Sequence, residues 1–372
     1  MNWIDTNAYL FLLAYIMTYF ICLLGKSMYD PGGYNTSAMA WKKRIALAFI
    51  IAIPFSLLCA YRSFDTGYDT PNYFAGVFEA KHGLRELGNG GFHVLYERLL
   101  YTCSYYTDGN VKVWLFVMAV VSLFFFNYTL SLWSRKHTFF TLGSILYLLY
   151  ISPIMLDQSR QFMAVGITML AFWYLYKNKI IIFVLWLLVA SLFHESTLGL
   201  LPLVILGFGK SKGTLRTNIV LLVTIVISLF LTQYFVQLIL QLLPTKFEYI
   251  SSQAHAETTG FAWVADLMPL FYCMFAYYYH SKYRQSGKPV LEACALSAII
   301  FRLSGYSSFF IMRMSYYGMA MSILLFIETM NIIPHRKSLK WEIGAVLIFA
   351  THWYIDFLYL GLNGAIPYNI AE

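Results

Sequence analysis

Four arginines, Arg62, Arg160, Arg302 and Arg313, stand where apolar runs meet polar segments. A cation there costs about 2.5 to 3.5 kcal/mol at mid-membrane and less near the interface, so an anionic group should compensate it. Taken singly, each could reach lipid headgroups or pair with a neighbouring carboxylate, as Arg160 could with Asp157. Four at one depth, on the side that positive residues normally avoid, point instead to a shared anionic ligand. None of the four is lysine, and a guanidinium fork suits phosphate oxygens better than an ammonium does.

Two shorter groups stand beside them. Residues 61 to 73 read Tyr-Arg-Ser-Phe-Asp-Thr-Gly-Tyr-Asp-Thr-Pro-Asn-Tyr. Arg62, Asp65 and Asp69 would share a face of a continuing helix, but Gly67 and Pro71 predict a turn. Its aspartates either accept backbone N–H groups or bring a carboxylate to the arginines, to take a proton or hold sugar hydroxyls. In Phe193-His194-Glu195-Ser196, the zinc pattern HExxH fails because residue 198 is Leu198. His194 is then either a hydrogen-bonded packing residue or, with Glu195, a general acid/base. Asp266, Glu292, Glu328 and Asp356 share no spacing and read as helix-end or interhelical hydrogen bonds. A transporter's proton relay is the other reading.

The chain carries no Walker A sequence, dinucleotide turn, DDxxD pair or His/Cys metal set, so no cofactor or metal is expected. Asp65 and Asp69 alone would offer a metal two hard ligands.

The elements that must position these residues are helices in a membrane. The 372 residues are 59% apolar or aromatic and 12% charged, against about 25% charge in soluble domains. Apolar stretches cover residues 7–24, 45–60, 113–133, 139–156, 161–176, 180–194, 197–208, 218–240, 262–280, 290–303, 314–333 and 341–362. They predict an all-α, polytopic bundle of about 12 transmembrane helices, several short of the roughly 20 residues of a straight span. The first lacks the basic start and cleavage site of a secretory signal and is expected to be a retained helix. Five cysteines, four of them in or beside apolar runs, give no disulfide framework.

The net charge of +8 could suggest nucleic acid, but its distribution excludes that reading. Lys and Arg recur in alternate loops, 17 on one side from Lys26 to Lys340 and nine on the other. The richer side is cytoplasmic and both termini face outward. We expect one membrane domain over residues 1–372, with outward loops at 61–112 and 244–261. In the first loop Phe92, Leu95, Leu99, Cys103 and Tyr106 oppose His93, Glu97 and Ser104, the pattern of an amphipathic helix on the outer leaflet.

On these residues the sequence resembles the EpsG/Wzy-type family of bacterial exopolysaccharide and O-antigen polymerases. The matching positions are Arg62, Asp65, Asp69-Thr70 and Tyr73; Gly91-Phe92 and then Tyr96; Arg160-Gln161 and then Ala164; Phe193-His194 and then Ser196; Arg302; and Arg313-Met-Ser-Tyr316. They keep the family's order over roughly residues 45 to 330. Glu195 departs from it by following the histidine where a variable residue is expected, and Arg302 by lying inside an apolar run.

The resemblance implies a glycosyltransferase at the outer face of the bacterial cytoplasmic membrane, of GT-C-like helical architecture. A glycan on polyprenyl (undecaprenyl) pyrophosphate passes to an incoming lipid-linked repeat unit, with inversion and without a metal. Arg62, Arg160, Arg302 and Arg313 would hold the pyrophosphate. His194 or Asp65 would take the acceptor proton, and Glu195, Asp69, Tyr73, Gln161 and Tyr316 would position the sugars. Partners would be the lipid-linked donor and acceptor, membrane lipids and a chain-length regulator. Two other classes fit less well. A lipid-linked oligosaccharide flippase should carry its charges through the bundle centre. A membrane acyltransferase using coenzyme A should have its histidine on the cytoplasmic side.

Overall fold

Inside a bilayer each backbone N–H and C=O must find its partner within the chain, and uninterrupted apolar runs do so as helices. The computed structural model describes residues 7–28, 38–84, 94–204, 262–280, 290–304, 309–361 and 368–370, and among them no β-strand forms. The helices are α1 (Tyr9–Leu24), α2 (Ala38–Ala60), α3 (Thr70–Lys81), α4 (Val94–Tyr106), α5 (Val111–Trp133), α6 (His137–Asp157), α7 (Ser159–Tyr176) and α8 (Ile180–Ser191). A 3-10 segment, Glu195–Val204, follows. The chain resumes with α9 (Ala262–His280), α10 (Val290–Ser304), α11 (Phe309–Ile332) and α12 (His335–Trp353), which ends in a π turn, Tyr354–Tyr359.

Apart from 197–208 and 218–240, each predicted apolar stretch forms an α-helix at its expected place. The stretch 218–240, the outward loop 244–261, Gly91, Phe92 and His93 lie outside the described residues. Among the described residues, three segments can cross a membrane by length and composition: Trp41–Ala60, Val111–Trp133 and His137–Asp157. Helices α1 and α8 are apolar but shorter.

Helix α6 is the most enclosed of the three spans, with 89% of its apolar window buried. It lies against α1, α11 and α12, while α5 packs between α2 and α7. Two crossings are close enough to require glycine. A side-chain carbon on Gly166 would strike the Ser122 carbonyl of α5, and one on Gly318 of α11 would strike Cys294 and Ala298 of α10.

The segment 61–112 differs from expectation in two ways. It contains two helices, since α3 starts at Thr70-Pro71 and buries Tyr73, Val77 and Ala80. Moreover, α4 forms but presents another face. Tyr96, Glu97, Leu100 and Ser104 are its buried residues, whereas Leu95, Leu99 and Cys103 are half-buried and Tyr106 is exposed. Glu97 and Ser104, expected on the polar side, thus face inward. The physical reason is a second apolar cluster in which Tyr96 and Leu100 meet Tyr73 and Val77 of α3, Trp114 of α5 and Met163 of α7. Helix α4 packs on this protein surface through the side that periodicity alone assigned to water.

Candidate functional site

One end of the bundle collects the residues singled out by sequence. It is built from the 61–69 turn after α2, the α6–α7 junction, the turn after α8, and the facing ends of α9, α10, α11 and α12.

The turn forms because Gly67 adopts a positive φ of 86° and Pro71 sits in the first turn of α3. Asp69 precedes α3, but its side chain makes no cap hydrogen bond. Instead its backbone N–H donates to Asp157 Oδ1 at 2.8 Å. The Tyr73 hydroxyl donates to the Asp157 carbonyl at 3.0 Å, and the Arg160 N–H donates to that hydroxyl at 3.4 Å. Asp157 therefore joins the turn to the α6–α7 junction, and the Asp157–Arg160 pairing considered above gives way to this role. Burial, with Asp69 adding to it, holds the Tyr73 phenol well above its usual range. Asp65 is exposed in the turn.

Arg62 is completely buried, its Nη2 donating to Ser159 Oγ at 3.3 Å and its guanidinium 5.7 Å from the centre of the Tyr73 ring. Its Nε and Nη1 have no hydrogen-bond partner among the described residues. Burial pulls its pKa down, yet a guanidinium starts so high that it remains charged. Residues 368–370 lie along this turn: the Ser63 N–H donates to the Asn369 carbonyl at 2.7 Å.

Arg160, in the first turn of α7, stacks over the Tyr96 ring at 5.5 Å. The start of α4 is itself pinned to the turn after α8, because the N–H groups of Leu95 and Tyr96 both donate to the Leu192 carbonyl. Gln161, one residue on, donates to the Arg313 carbonyl at 2.9 Å. Arg313 Nη2 stands 4.0 Å from Asp69 Oδ2. Gln158 donates to the Tyr316 hydroxyl at 3.2 Å, and the Tyr316 ring lies 5.9 Å from the Arg302 guanidinium. The four arginines are thus joined through Tyr73, Asp157, Asp69, Gln161, Gln158 and Tyr316.

Their pairing is unequal. Arg302 holds Asp266 of α9 through both Nε and Nη2, a tight ion pair. Behind it, His352 Nε2 lies 3.5 Å from Asp266 Oδ1 and 2.9 Å from Asp356 Oδ2. Donor atoms of Asp266, His352 and Asp356 fall within 4.8 Å of one another, a spacing one metal ion could bridge. Sequence reasoning set both aspartates apart as scattered and did not single out His352. The i, i+4 spacing of His352 and Asp356 was a local signal, whereas Asp266 joins them only through the α9–α12 contact, which no local pattern reveals.

His194 is buried in the turn after α8. Its Nδ1 lies 2.7 Å from Ser196 Oγ and accepts the Ser196 N–H at 3.4 Å. Ser196 Oγ in turn meets the Tyr317 hydroxyl at 2.8 Å, and Thr197 Oγ1 meets that hydroxyl at 3.1 Å. Tyr317 follows Tyr316 on α11, which places the histidine cluster beside the arginine network. Ser196 and Tyr317 as the groups that fix the ring are a further addition from the structure.

Fold and site together define an all-helical protein with candidate membrane spans and a guanidinium-rich site at one end of its bundle. The EpsG family model matches residues 45–370, and the chain belongs to the EpsG family. Membership makes it a membrane protein of the polysaccharide-polymerase type. No curated protein and no solved structure matches it.

Proposed function

We propose that this protein is an inverting glycosyltransferase that polymerises polyprenyl-pyrophosphate-linked repeat units at the outer face of the bacterial cytoplasmic membrane. Its bundle would have about 12 spans in a GT-C-like arrangement. The observation that carries this reading is the gathering of Arg62, Arg160, Arg302 and Arg313 around one hydrogen-bonded junction. Arg62 supports it further, since its Nε and Nη1 are buried and lack partners among the described residues. A buried donor of that kind is costly until an acceptor arrives.

In the proposed step the acceptor hydroxyl attacks the anomeric carbon of the donor glycan. The new C–O bond forms as the bond to pyrophosphate breaks, and the released electron pair stays on the phosphate oxygen. Guanidinium groups held in a water-poor site stabilise that charge without a metal. The acceptor's proton goes to His194, or to Asp65 if the turn approaches the acceptor. Asp69, Glu195, Tyr73, Gln161 and Tyr316 orient the sugars, and exposed Tyr61 and Tyr68 offer rings for pyranose faces.

Arg160→Lys and Arg313→Lys test the clamp, because an ammonium keeps the charge but loses the fork. Both purified variants should stay folded and lose polymerisation. Wild-type rates in either would remove that arginine from the clamp.

A further inference from the structure

Behind Arg302 lies a group of charges that the reaction above does not use. Asp266 comes from α9, His352 from the last turn of α12, and Asp356 from the π turn four residues later. Asp266, His352 and Asp356 are all buried, and the Arg302 side chain is only 12% exposed. Tyr150 closes the group from α6, its ring edge-on to His352 at 4.8 Å and its hydroxyl donating to the Asp266 carbonyl at 3.1 Å.

Buried ions cost several kcal/mol each unless their charges balance. Two carboxylates face one guanidinium here, and a proton on His352 makes the set of four neutral. Stability alone is a poor reason for such a set, since apolar residues of equal volume often serve as well. What the set achieves is an orientation. The Nε and Nη2 edge of Arg302 is fixed on Asp266, while Nη1 is buried without a hydrogen-bond partner among the described residues. His352 Nε2 stands 3.5 Å from the other oxygen of Asp266 and 2.9 Å from Asp356 Oδ2, ion-pair distances without hydrogen-bond geometry, so the brace behind Asp266 is one of charge.

We propose that His352 is a positioning residue, acting with Asp356 through Asp266 to hold Arg302 so that Nη1 is left for the anionic ligand. The proposal rests on reading the arginines as a pyrophosphate clamp, and it gives Arg302 a role distinct from those of the other three. Arg302 is the member braced from behind.

The test is the full chain in nanodiscs carrying His352→Gln together with Asp356→Asn, which removes one positive and one negative charge and keeps the set neutral. His352→Ala serves as a harsher companion, and melting temperatures verify the fold of each. A cryo-EM map of the double variant should show the Arg302 guanidinium displaced from its place on Asp266. With lipid-linked repeat units, kcat should fall about tenfold while KM stays within about twofold, the mark of an interaction made mainly in the transition state. In an Arg302→Gln background the same two substitutions should cost nothing further, because their effect runs through Arg302.

An unmoved guanidinium in the map, or losses that multiply in the combined variant, would overturn the proposal. So would one equivalent of tightly bound transition metal in the wild type that is lost in His352→Ala, since a metal would then stand where the imidazolium proton is assigned. If the guanidinium moves but wild-type protein makes no polymer, the clamp reading fails and with it the assignment of Nη1 to pyrophosphate, while the dependence of the Arg302 orientation on His352 and Asp356 stands.

Discussion

A guanidinium that leaves water keeps its charge and needs acceptors in exchange. Arg302 receives a carboxylate, Arg313 lies within 4.0 Å of one, Arg160 lies on an aromatic ring, and Arg62 has a ring and one serine hydroxyl. Complete burial, with Nε and Nη1 lacking hydrogen-bond partners among the described residues, makes Arg62 the residue with most to gain from a phosphate. The opposite demand falls on His194, whose ring is fixed by Ser196 and, through it, Tyr317. A base held in this way contributes about 10²- to 10⁴-fold to rate. We therefore expect His194→Ala to lose that much kcat while remaining folded, with a melting temperature lowered by the loss of a buried, hydrogen-bonded ring. Activity retained in the variant would move the base to Asp65 or another group. The types of these residues were legible in sequence, because charge inside an apolar chain is conspicuous. Their partners were not. Asp157 looked like a mate for Arg160 at helical spacing, yet its oxygens serve Asp69 and Tyr73, residues more than 80 positions earlier.

Helices place those residues, and two joints do most of the placing. At the first, α6 ends at Asp157 and α7 begins at Ser159, so that Gln158, Arg160 and Gln161 emerge together. At the second, α10 and α11 lie so close that Gly318 meets the backbone of Cys294. A methyl group there must push the helices apart, and overpacking of this kind costs about 1 to 3 kcal/mol. Gly318→Ala should thus melt at a clearly lower temperature in detergent, and because α10 and α11 carry Arg302 and Arg313 it should also lose activity. Melting at the wild-type temperature would contradict that contact. The apolar runs announced these helices, with ends differing by up to about nine residues, because each backbone bonds within its own segment. Helix α3 was hidden because its twelve residues mix polar and apolar types and gain their order from Trp114 and Tyr96, which lie far along the chain. The facing of α4 was hidden for the same reason.

The Lys and Arg of the chain divide unequally between alternate loops in sequence, 17 in one set and nine in the other, and the four arginines of the site belong to the nine. If the inside-positive rule governs insertion, the site faces outward. In a Cys103→Ser background, Tyr68→Cys should react with an impermeant maleimide on intact spheroplasts, and Lys177→Cys only after permeabilisation. The reverse pattern would turn the site to the cytoplasm. The account as a whole stands on a lipid pyrophosphate leaving into a cluster of guanidinium groups. Its most direct test is the pure protein incubated with lipid-linked repeat units, with and without chelator, and resolved on a gel. A metal-free guanidinium clamp gives a ladder of lengthening glycan that chelation leaves intact. Folded protein that extends nothing, or a ladder abolished by chelator and restored by added metal, would contradict it.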